Sequence, residues 1–121
     1  MLKSIDFALH KLGISIIAFS LCLIFLTNPV LADSATNLDN GAKVFQANCA
    51  GCHVKGGNIV RRGKNLKLKA LHKYKVDNVD AIASLVNHGK GIMSAYGDKL
   101  TQQEIADVSA FVLKKAIAGW K

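Results

Sequence analysis

The stretch Asn48-Cys49-Ala50-Gly51-Cys52-His53-Val54, NCAGCHV, decides how the rest of this chain is interpreted. Two cysteines stand three positions apart, and a histidine follows the second cysteine directly. The pattern suits three kinds of chemistry: a metal ion held by thiolates and imidazole, a redox-active disulfide, and covalent attachment of a c-type haem. Each of these requires different companions elsewhere in the sequence.

The surrounding sequence lacks the companions of the first two. A structural zinc site uses four ligands, and no second Cys or His pair follows at suitable spacing. A thioredoxin-type dithiol needs an alternating βαβ pattern, and a plain disulfide leaves His53 without a role. In haem attachment two thiols add to the two vinyl groups, and the next imidazole reaches the iron. We therefore predict one covalent haem c per chain, bound through Cys49 and Cys52, with His53 as an iron ligand.

The second iron ligand has three candidates: Met93, His72 and His88. Met93 lies 40 residues after His53 in a glycine-flanked loop, from which a long thioether can reach across the haem. Its alternative role is a methionine that fills the core. His88 stands near a predicted helix end, where the dipole favours it, and His72 stands among lysines. We predict Met93; a histidine or an open position is the alternative.

The first quarter of the chain has the layout of a secretory signal peptide. Two lysines form a positive head, residues 12–26 are an apolar run, and small residues end at Ala32. The run is shorter than the ~20 residues that a membrane-spanning helix needs, which disfavours a retained anchor. We predict that residues 1–32 are cleaved, that the protein is exported, and that residues 33–121 form one domain.

The remaining sequence predicts four helices and no strand, and so an all-α fold. The second helix is a short segment, Leu66–Lys73; the third ends at Gly89, and a loop at Lys90–Leu100 carries Met93. The predicted caps of the other helices are Asp39 or Asn40, Asp77 or Asn78, and the capping box Thr101–Glu104. The predicted apolar positions are Leu38, Ala42, Phe45 and Cys49, then Val79, Ile82 and Val86, then Ile105, Val108, Phe111 and Leu113.

Basic residues concentrate in the middle of this positively charged chain, whose formal net charge is +8. Eight bases occur between positions 55 and 75 with no acid among them: Lys55, Arg61, Arg62, Lys64, Lys67, Lys69, Lys73 and Lys75. We call these eight residues the basic strip. It predicts steering toward an acidic face of a redox partner, and an ordinary solvated surface is the alternative. Nucleic acid is not an expected partner, because the predicted signal peptide exports the chain.

Several motifs in order and at matching spacing resemble cytochrome c6, the class I c-type cytochrome of cyanobacteria and algae. The resemblance covers essentially all of residues 33–121. It implies the class I cytochrome c fold, with about four helices wrapped around one covalent haem, and packing of the first and last helices through Gly41, Phe45 and Phe111. The motifs are Leu38-x-x-Gly41-x-x-x-Phe45-x-x-x-Cys49-x-x-Cys52-His53, Gly56-Gly57-Asn58, Gly89-Lys90-x-x-Met93-x-Ala95-Tyr96-Gly97, Asp107-Val108-x-x-Phe111-Val112 and Gly119-Trp120.

The predicted function is electron transfer rather than catalysis. With His53 and Met93 on the iron, no vacant position remains for a substrate, so the iron changes oxidation state only. By resemblance the partners are the cytochrome bf complex and photosystem I or a terminal oxidase. The expected location is a thylakoid lumen or periplasm, where a monomer docks transiently on membrane complexes. A haem enzyme or ligand sensor with a labile sixth ligand is the alternative.

Two departures from the family pattern concern the surroundings of the haem. The family loop reads methionine, proline, alanine, phenylalanine, glycine, glycine, arginine, whereas this loop continues from Met93 with Ser94, Ala95 and Tyr96. Leu85 stands where the family commonly has glutamine, so an amide beside the haem is lost. Two arguments give opposite signs for the effect of Leu85 on the redox potential. An apolar wall favours ferrous haem, whereas c6-like paralogues with an aliphatic residue here resemble a lower-potential group.

Overall fold

The computed structural model describes residues 35–121; the predicted signal peptide, 1–32, lies outside the described residues. Four α-helices are present: α1 Leu38–Asn48, α2 Leu68–Lys73, α3 Val79–His88 and α4 Gln102–Ile117. Short 3₁₀ turns occupy Val54–Gly56 and Arg62–Lys64. Within 35–121 no strand forms, apart from an isolated bridge between Lys90 and Met93. The all-α prediction with four helices is confirmed, and no helix in this part of the chain is long and apolar enough to cross a bilayer.

The predicted cap of α1 was wrong by two or three residues. The helix begins at Leu38, and Asn37 caps it by accepting hydrogen bonds from the backbone N–H groups of Asp39 and Asn40. Asp39 lies in the first turn, where its charge suits the helix dipole. The Asn40 side chain does not cap α1, because it donates a hydrogen bond to Asp107 on α4.

The predicted start and end of α3 and the predicted start of α4 are confirmed. Asn78 caps α3 by accepting from the Ala81 N–H at 2.8 Å, and Thr101 and Glu104 form the reciprocal capping box of α4. Gly89 ends α3 with φ +70°, and a Cβ there would sit 2.8 Å from the backbone nitrogen of Ala95. Glycine therefore lets the following loop fold back tightly against the helix end.

The crossing of α1 and α4 organises the molecule. A Cβ on Gly41 would overlap the backbone carbonyl of Asp107, so only glycine permits this approach. Next to the crossing, the ring of Phe45 lies 5.5 Å from that of Phe111 and 5.2 Å from that of Trp120, measured between centroids. Trp120 also donates from its indole nitrogen to the Leu66 carbonyl at 2.9 Å. The packing expected at Gly41, Phe45 and Phe111 is confirmed.

The buried core is small and draws on all four helices. Phe111 and Leu113, predicted on the apolar face of α4, are half-buried, whereas Val112 is buried. Helix α3 also packs on α4, and α2 contributes a single buried residue. The core residues are Val44, Phe45, Leu71, Ile82, Val86, Ile105, Val108, Val112 and Ala116.

Asp107, on α4, is a charged residue with only 1% of its surface exposed. Its carboxylate accepts three hydrogen bonds, each 2.8 Å long, from the Asn37 N–H, the Asn40 side-chain amide and the Gln103 side-chain amide. Burial alone raises the pKa of this carboxyl, but the three donors outweigh it and hold the pKa below its ordinary value of 3.8. Asp107 therefore joins the start of α1 to α4 as an ionised group.

We predict that Asp107→Asn lowers the free energy of unfolding at pH 7 by about 1–3 kcal/mol, because an amide oxygen cannot accept from all three donors. The folded pKa is depressed, so the contribution of the carboxylate is full above the ordinary value of 3.8 and is lost as the pH falls through the folded pKa. Urea unfolding of the haem-loaded protein, followed by far-ultraviolet circular dichroism from pH 7 to about pH 2, measures both effects.

The matched control is Asp98→Asn, which removes one carboxylate from an exposed loop position. It is expected to retain the wild-type loss of stability in acid. An Asp107→Asn variant with wild-type stability at pH 7 contradicts the role assigned to this carboxylate.

Candidate haem-binding site

One cavity of about 400 Å³ opens between the helices. This volume lies within the range of roughly 300–1,000 Å³ found for small-molecule sites. Its apolar walls come from α2, α3 and α4, and most of these residues also belong to the buried core. The apolar wall residues include Leu71, Ile82, Leu85, Val86, Val108 and Val112.

The NCAGCHV stretch forms one edge of this cavity through a tight turn after α1. The N–H of Cys49 still bonds to the Phe45 carbonyl at 2.8 Å, so this residue closes the helix. The N–H groups of Cys52 and His53 then both point to the Cys49 carbonyl, at 3.2 and 2.9 Å. Cys49 is half-buried and lines the cavity, whereas Cys52 is exposed. Burial, with a smaller contribution from Cys52, raises the pKa of Cys49 to about 11, so its thiol is protonated at neutral pH in the haem-free chain.

His53 is oriented by the chain that follows it. Its Nδ1 lies 2.8 Å from the carbonyl oxygen of Gly57. Because a carbonyl only accepts hydrogen bonds, Nδ1 carries the proton and the lone pair of Nε2 is free to bind a metal. His53 is half-buried and lines the cavity.

Met93 lines the same cavity from the loop after α3. Two reciprocal backbone hydrogen bonds, 3.0 and 3.2 Å long, join Lys90 and Met93 into a tight turn. The methionine is half-buried and packs against the core cluster. Within the described chain, the thioether of Met93 and the imidazole of His53, with its proton on Nδ1, therefore line one largely apolar cavity.

The two competing histidines lie on the surface and are not part of the cavity wall. His72 pairs with Asp77, with 2.6 Å between Nδ1 and the carboxylate oxygen. His88 bonds through Nδ1 to the Ser84 carbonyl at 3.0 Å and through Nε2 to the Asn87 side chain. Both rings are engaged by local partners.

Sequence reasoning missed the polar wall of the cavity. Arg61, Lys64 and Lys90 line it, although the first two were identified only as surface charge. The Lys64 ammonium lies 3.3 Å from the centroid of the Tyr74 ring, and Asn58 shapes the turn by accepting from the Arg61 N–H at 2.7 Å. Positive groups at this wall suit the two carboxylates that a haem carries. The only sequence signal for them was the density of basic residues.

A second, more open cleft of about 620 Å³ lies over the aromatic residues of the α1–α4 crossing. It is lined by Phe45, Phe111 and Trp120, with Lys55 and Lys115 at its edges, and by none of the predicted site residues. The 400 Å³ cavity is therefore the one whose residues fit a covalently attached haem. It combines a thiol, an imidazole, a thioether and basic groups on an apolar interior.

Comparison with known proteins identifies relatives over most of the chain. Residues 36–112 match the family model described as cytochrome C oxidase, cbb3-type, subunit III. A cytochrome c6-like protein of Nostoc sp. strain PCC 7120 is 46% identical, over 91% of this chain and 96% of the relative. A cytochrome c6 of Thermosynechococcus vestitus is 44% identical, over 93% of this chain and 98% of the relative.

Solved structures agree with the sequence relatives. Cytochrome c6C from Synechococcus sp. PCC 7002 is 59% identical, with a TM-score of 0.65 over 66% of this chain and 98% of that one. Cytochrome c6 from the diatom Phaeodactylum tricornutum is 41% identical, with a TM-score of 0.68 over 69% of this chain and 99% of that one. The class I cytochrome c fold and one covalent haem c are features of this chain.

We predict that Cys49→Ser leaves haem linked through Cys52 alone, and that Cys49→Ser combined with Cys52→Ser leaves no covalent haem. The pyridine haemochrome α band of the single variant should move to longer wavelength, because one vinyl group remains conjugated with the ring. Haem staining of denaturing gels measures covalent attachment after expression in a host with c-type haem attachment machinery. Ala50→Ser, between the two cysteines, is the control and should keep the wild-type band; covalent haem in the double variant contradicts the assignment.

Proposed function

The chain belongs to the cytochrome c6 family and is a c-type cytochrome electron carrier, and on that premise we propose how it performs this task. The haem is attached through Cys49 and Cys52. His53 and Met93 would hold its iron. The protein passes single electrons between redox proteins and does not transform a substrate.

The observation that carries the proposal is the composition of one cavity wall. His53 and Met93 both line the 400 Å³ cavity, while His72 and His88 are exposed and bonded to neighbouring residues. Met93 is also the one methionine among residues 35–121. This distribution favours histidine–methionine ligation over bis-histidine ligation.

Each ligand has a distinct effect on the chemistry. The bound haem supplies a one-electron couple between ferric and ferrous iron. The hydrogen bond from His53 Nδ1 to the Gly57 carbonyl fixes the imidazole and makes it a more basic ligand. The soft thioether of Met93 favours the ferrous state and so raises the potential. Apolar wall residues such as Val86 and Val108 exclude water from the interior.

Two protein ligands on the iron would explain why no catalysis is expected. A haem enzyme or ligand sensor needs a vacant or easily vacated position on the iron. With His53 and Met93 holding the iron, no position would remain for a substrate, and the haem would supply only one-electron exchange. Transfer then requires only that a partner approach the open side of the cavity.

The basic strip supports an acidic partner. All eight of its residues are exposed, and two of them, Arg61 and Lys64, also line the cavity. Positive charge therefore lies beside the cavity that a partner must approach to exchange electrons with the haem. A negatively charged docking face would be attracted to this side of the molecule.

The family resemblance suggests the partners and the compartment. We infer that the donor is the cytochrome bf complex and that the acceptor is photosystem I or a terminal oxidase. Residues 1–32 act as a cleaved signal peptide in this proposal, and residues 33–121 work in a thylakoid lumen or periplasm. The exported protein docks transiently as a monomer.

We predict that Met93→Ala abolishes the ferric methionine-to-iron absorption band and lowers the midpoint potential, because the ligand that favours ferrous iron is lost. His88→Ala is expected to leave both unchanged, since this ring bonds to the surface of α3. Ferric absorption spectra and potentiometric titration of the haem-loaded proteins measure the two quantities.

The reverse result, with the band lost in His88→Ala and kept in Met93→Ala, shows that the ligand assignment is wrong. Rapid carbon monoxide or cyanide binding to the wild-type protein favours the ligand-sensor or enzyme alternative. Slow binding is expected, because Met93 must leave first.

We predict that electron exchange with the anion ferricyanide slows as ionic strength rises, whereas exchange with a cationic ruthenium ammine complex accelerates, because salt screens the basic strip. Arg62→Gln should slow the ferricyanide reaction at low salt by up to about eightfold, the unscreened effect of one unit charge on a trivalent anion at ~10 Å in water. Stopped-flow kinetics of the haem-loaded protein measures these rates.

Lys114→Gln is the matched control, because it removes one exposed charge from α4 outside the basic strip. Its effect on the ferricyanide rate should be smaller than that of Arg62→Gln. A flat or rising ferricyanide rate with salt, or equal effects of the two variants, contradicts steering by the strip.

A further inference from the structure

We propose that the Tyr96 hydroxyl is a positioning group: it holds the Met93 loop against the segment that carries the cysteines, and so slows displacement of Met93 from ferric iron by external ligands. The proposal rests on the ligation by Met93 proposed above. It concerns a residue that does not itself line the cavity.

The backbone contacts of the Met93 loop all run to the helix that precedes it or stay within the loop. Lys90 and Met93 bond to each other. The N–H groups of Tyr96 and Gly97 bond to the carbonyls of Val86 and Asn87 near the end of α3, at 2.9 and 3.1 Å. These bonds attach the loop to α3, but none of them joins it to the side of the cavity that carries His53.

The hydroxyl of Tyr96 makes that connection. It donates to the backbone carbonyl of Asn48 at 2.9 Å, across 48 positions of sequence. Asn48 is the last residue of α1 and immediately precedes Cys49. Among residues 35–121, this is the hydrogen bond that links the loop of residues 89–100 to α1 and the NCAGCHV stretch.

The Asn48 carbonyl has no partner within its helix and is available to such a donor. The last carbonyls of a helix have no partner within the helix. A continuing helix would bring the Cys52 N–H to Asn48, but the turn directs that N–H to the Cys49 carbonyl instead. The oxygen also lies at the negative end of the α1 dipole, which favours a donor. Tyr96 satisfies a group that the haem-attachment turn leaves open.

The geometry gives the bond a mechanical role. The bonds of Tyr96 and Gly97 hold the loop to α3 but not to α1, so they do not by themselves fix the loop against the segment that carries the cysteines. The Tyr96 ring is half-buried and packs against the core cluster. This packing fixes the ring even without the hydrogen bond of its hydroxyl. Removing the oxygen alone should therefore loosen the loop while the ring stays in place.

The test is Tyr96→Phe in the ferric, haem-loaded protein. Saturating cyanide displaces Met93: the iron–sulfur bond breaks and cyanide takes the position, so the limiting rate reports how often the loop releases. Loss of the methionine-to-iron band gives that rate. We expect it to rise between about twofold and tenfold, the range that one ordinary hydrogen bond provides. A rate equal to that of the wild type overturns the proposal.

Thr101→Ala is the control for general destabilisation. It removes the α4 capping box, a loss of the same order as one hydrogen bond, without touching the loop contacts. Its limiting rate should match that of the wild type. If Thr101→Ala accelerates cyanide binding as much as Tyr96→Phe does, the effect is one of overall stability and the proposal is wrong.

A second measurement separates this proposal from the ligand assignment. Amide hydrogen exchange at Met93, Tyr96 and Gly97 should be faster in Tyr96→Phe than in the wild type, while exchange in α4 stays unchanged. If the wild-type ferric protein has no methionine band, the proposed ligation fails, and with it any role of Tyr96 in displacement. If the band is present but the loop amides are equally protected in both proteins, only the role of Tyr96 is overturned.

Discussion

The close approach of α1 and α4 at Gly41 is the constraint on which the rest of the molecule depends. A single added carbon at Gly41 would overlap the Asp107 carbonyl, so the two helices can cross here only without a side chain. This contact places the end of α1, and therefore Cys49, at the edge of the cavity. The aromatic packing around Phe45 and the hydrogen bonds to Asp107 then stabilise the same crossing from two directions.

The cavity is part of the core rather than an addition to it. Leu71, Ile82, Val86, Val108 and Val112 belong both to the buried cluster and to the cavity wall. A domain of this size has little apolar interior of its own, so a large bound group contributes much of the burial that stabilises the fold. Covalent attachment, which we propose at Cys49 and Cys52, would make that contribution permanent, so that one cofactor serves both structure and electron transfer.

Local signals were predicted well, because capping and helix termination depend on neighbouring residues. Thr101 and Glu104 form the expected capping box, and Asn78 and Gly89 bound α3. The start of α1 was mistaken because Asp39, Asn40 and Asn37 are all acceptable caps by composition. Only the contact between Asn40 and Asp107 across the crossing shows that Asn40 has another task. The wall formed by Arg61 and Lys64 was missed because a basic segment in the sequence does not reveal which of its exposed charges border the cavity.

The sequence by itself determined the haem-attachment chemistry, the all-α class, most helix ends and membership of the family, because each rests on residue types at short or fixed spacing. Tertiary structure alone decided which side chains share the cavity. It placed Met93 there and left His72 and His88 on the surface, gave Asp107 its three donors, and brought Tyr96 to Asn48. Such contacts depend on the path of the whole chain around the α1–α4 crossing, and a local pattern carries no information about that path.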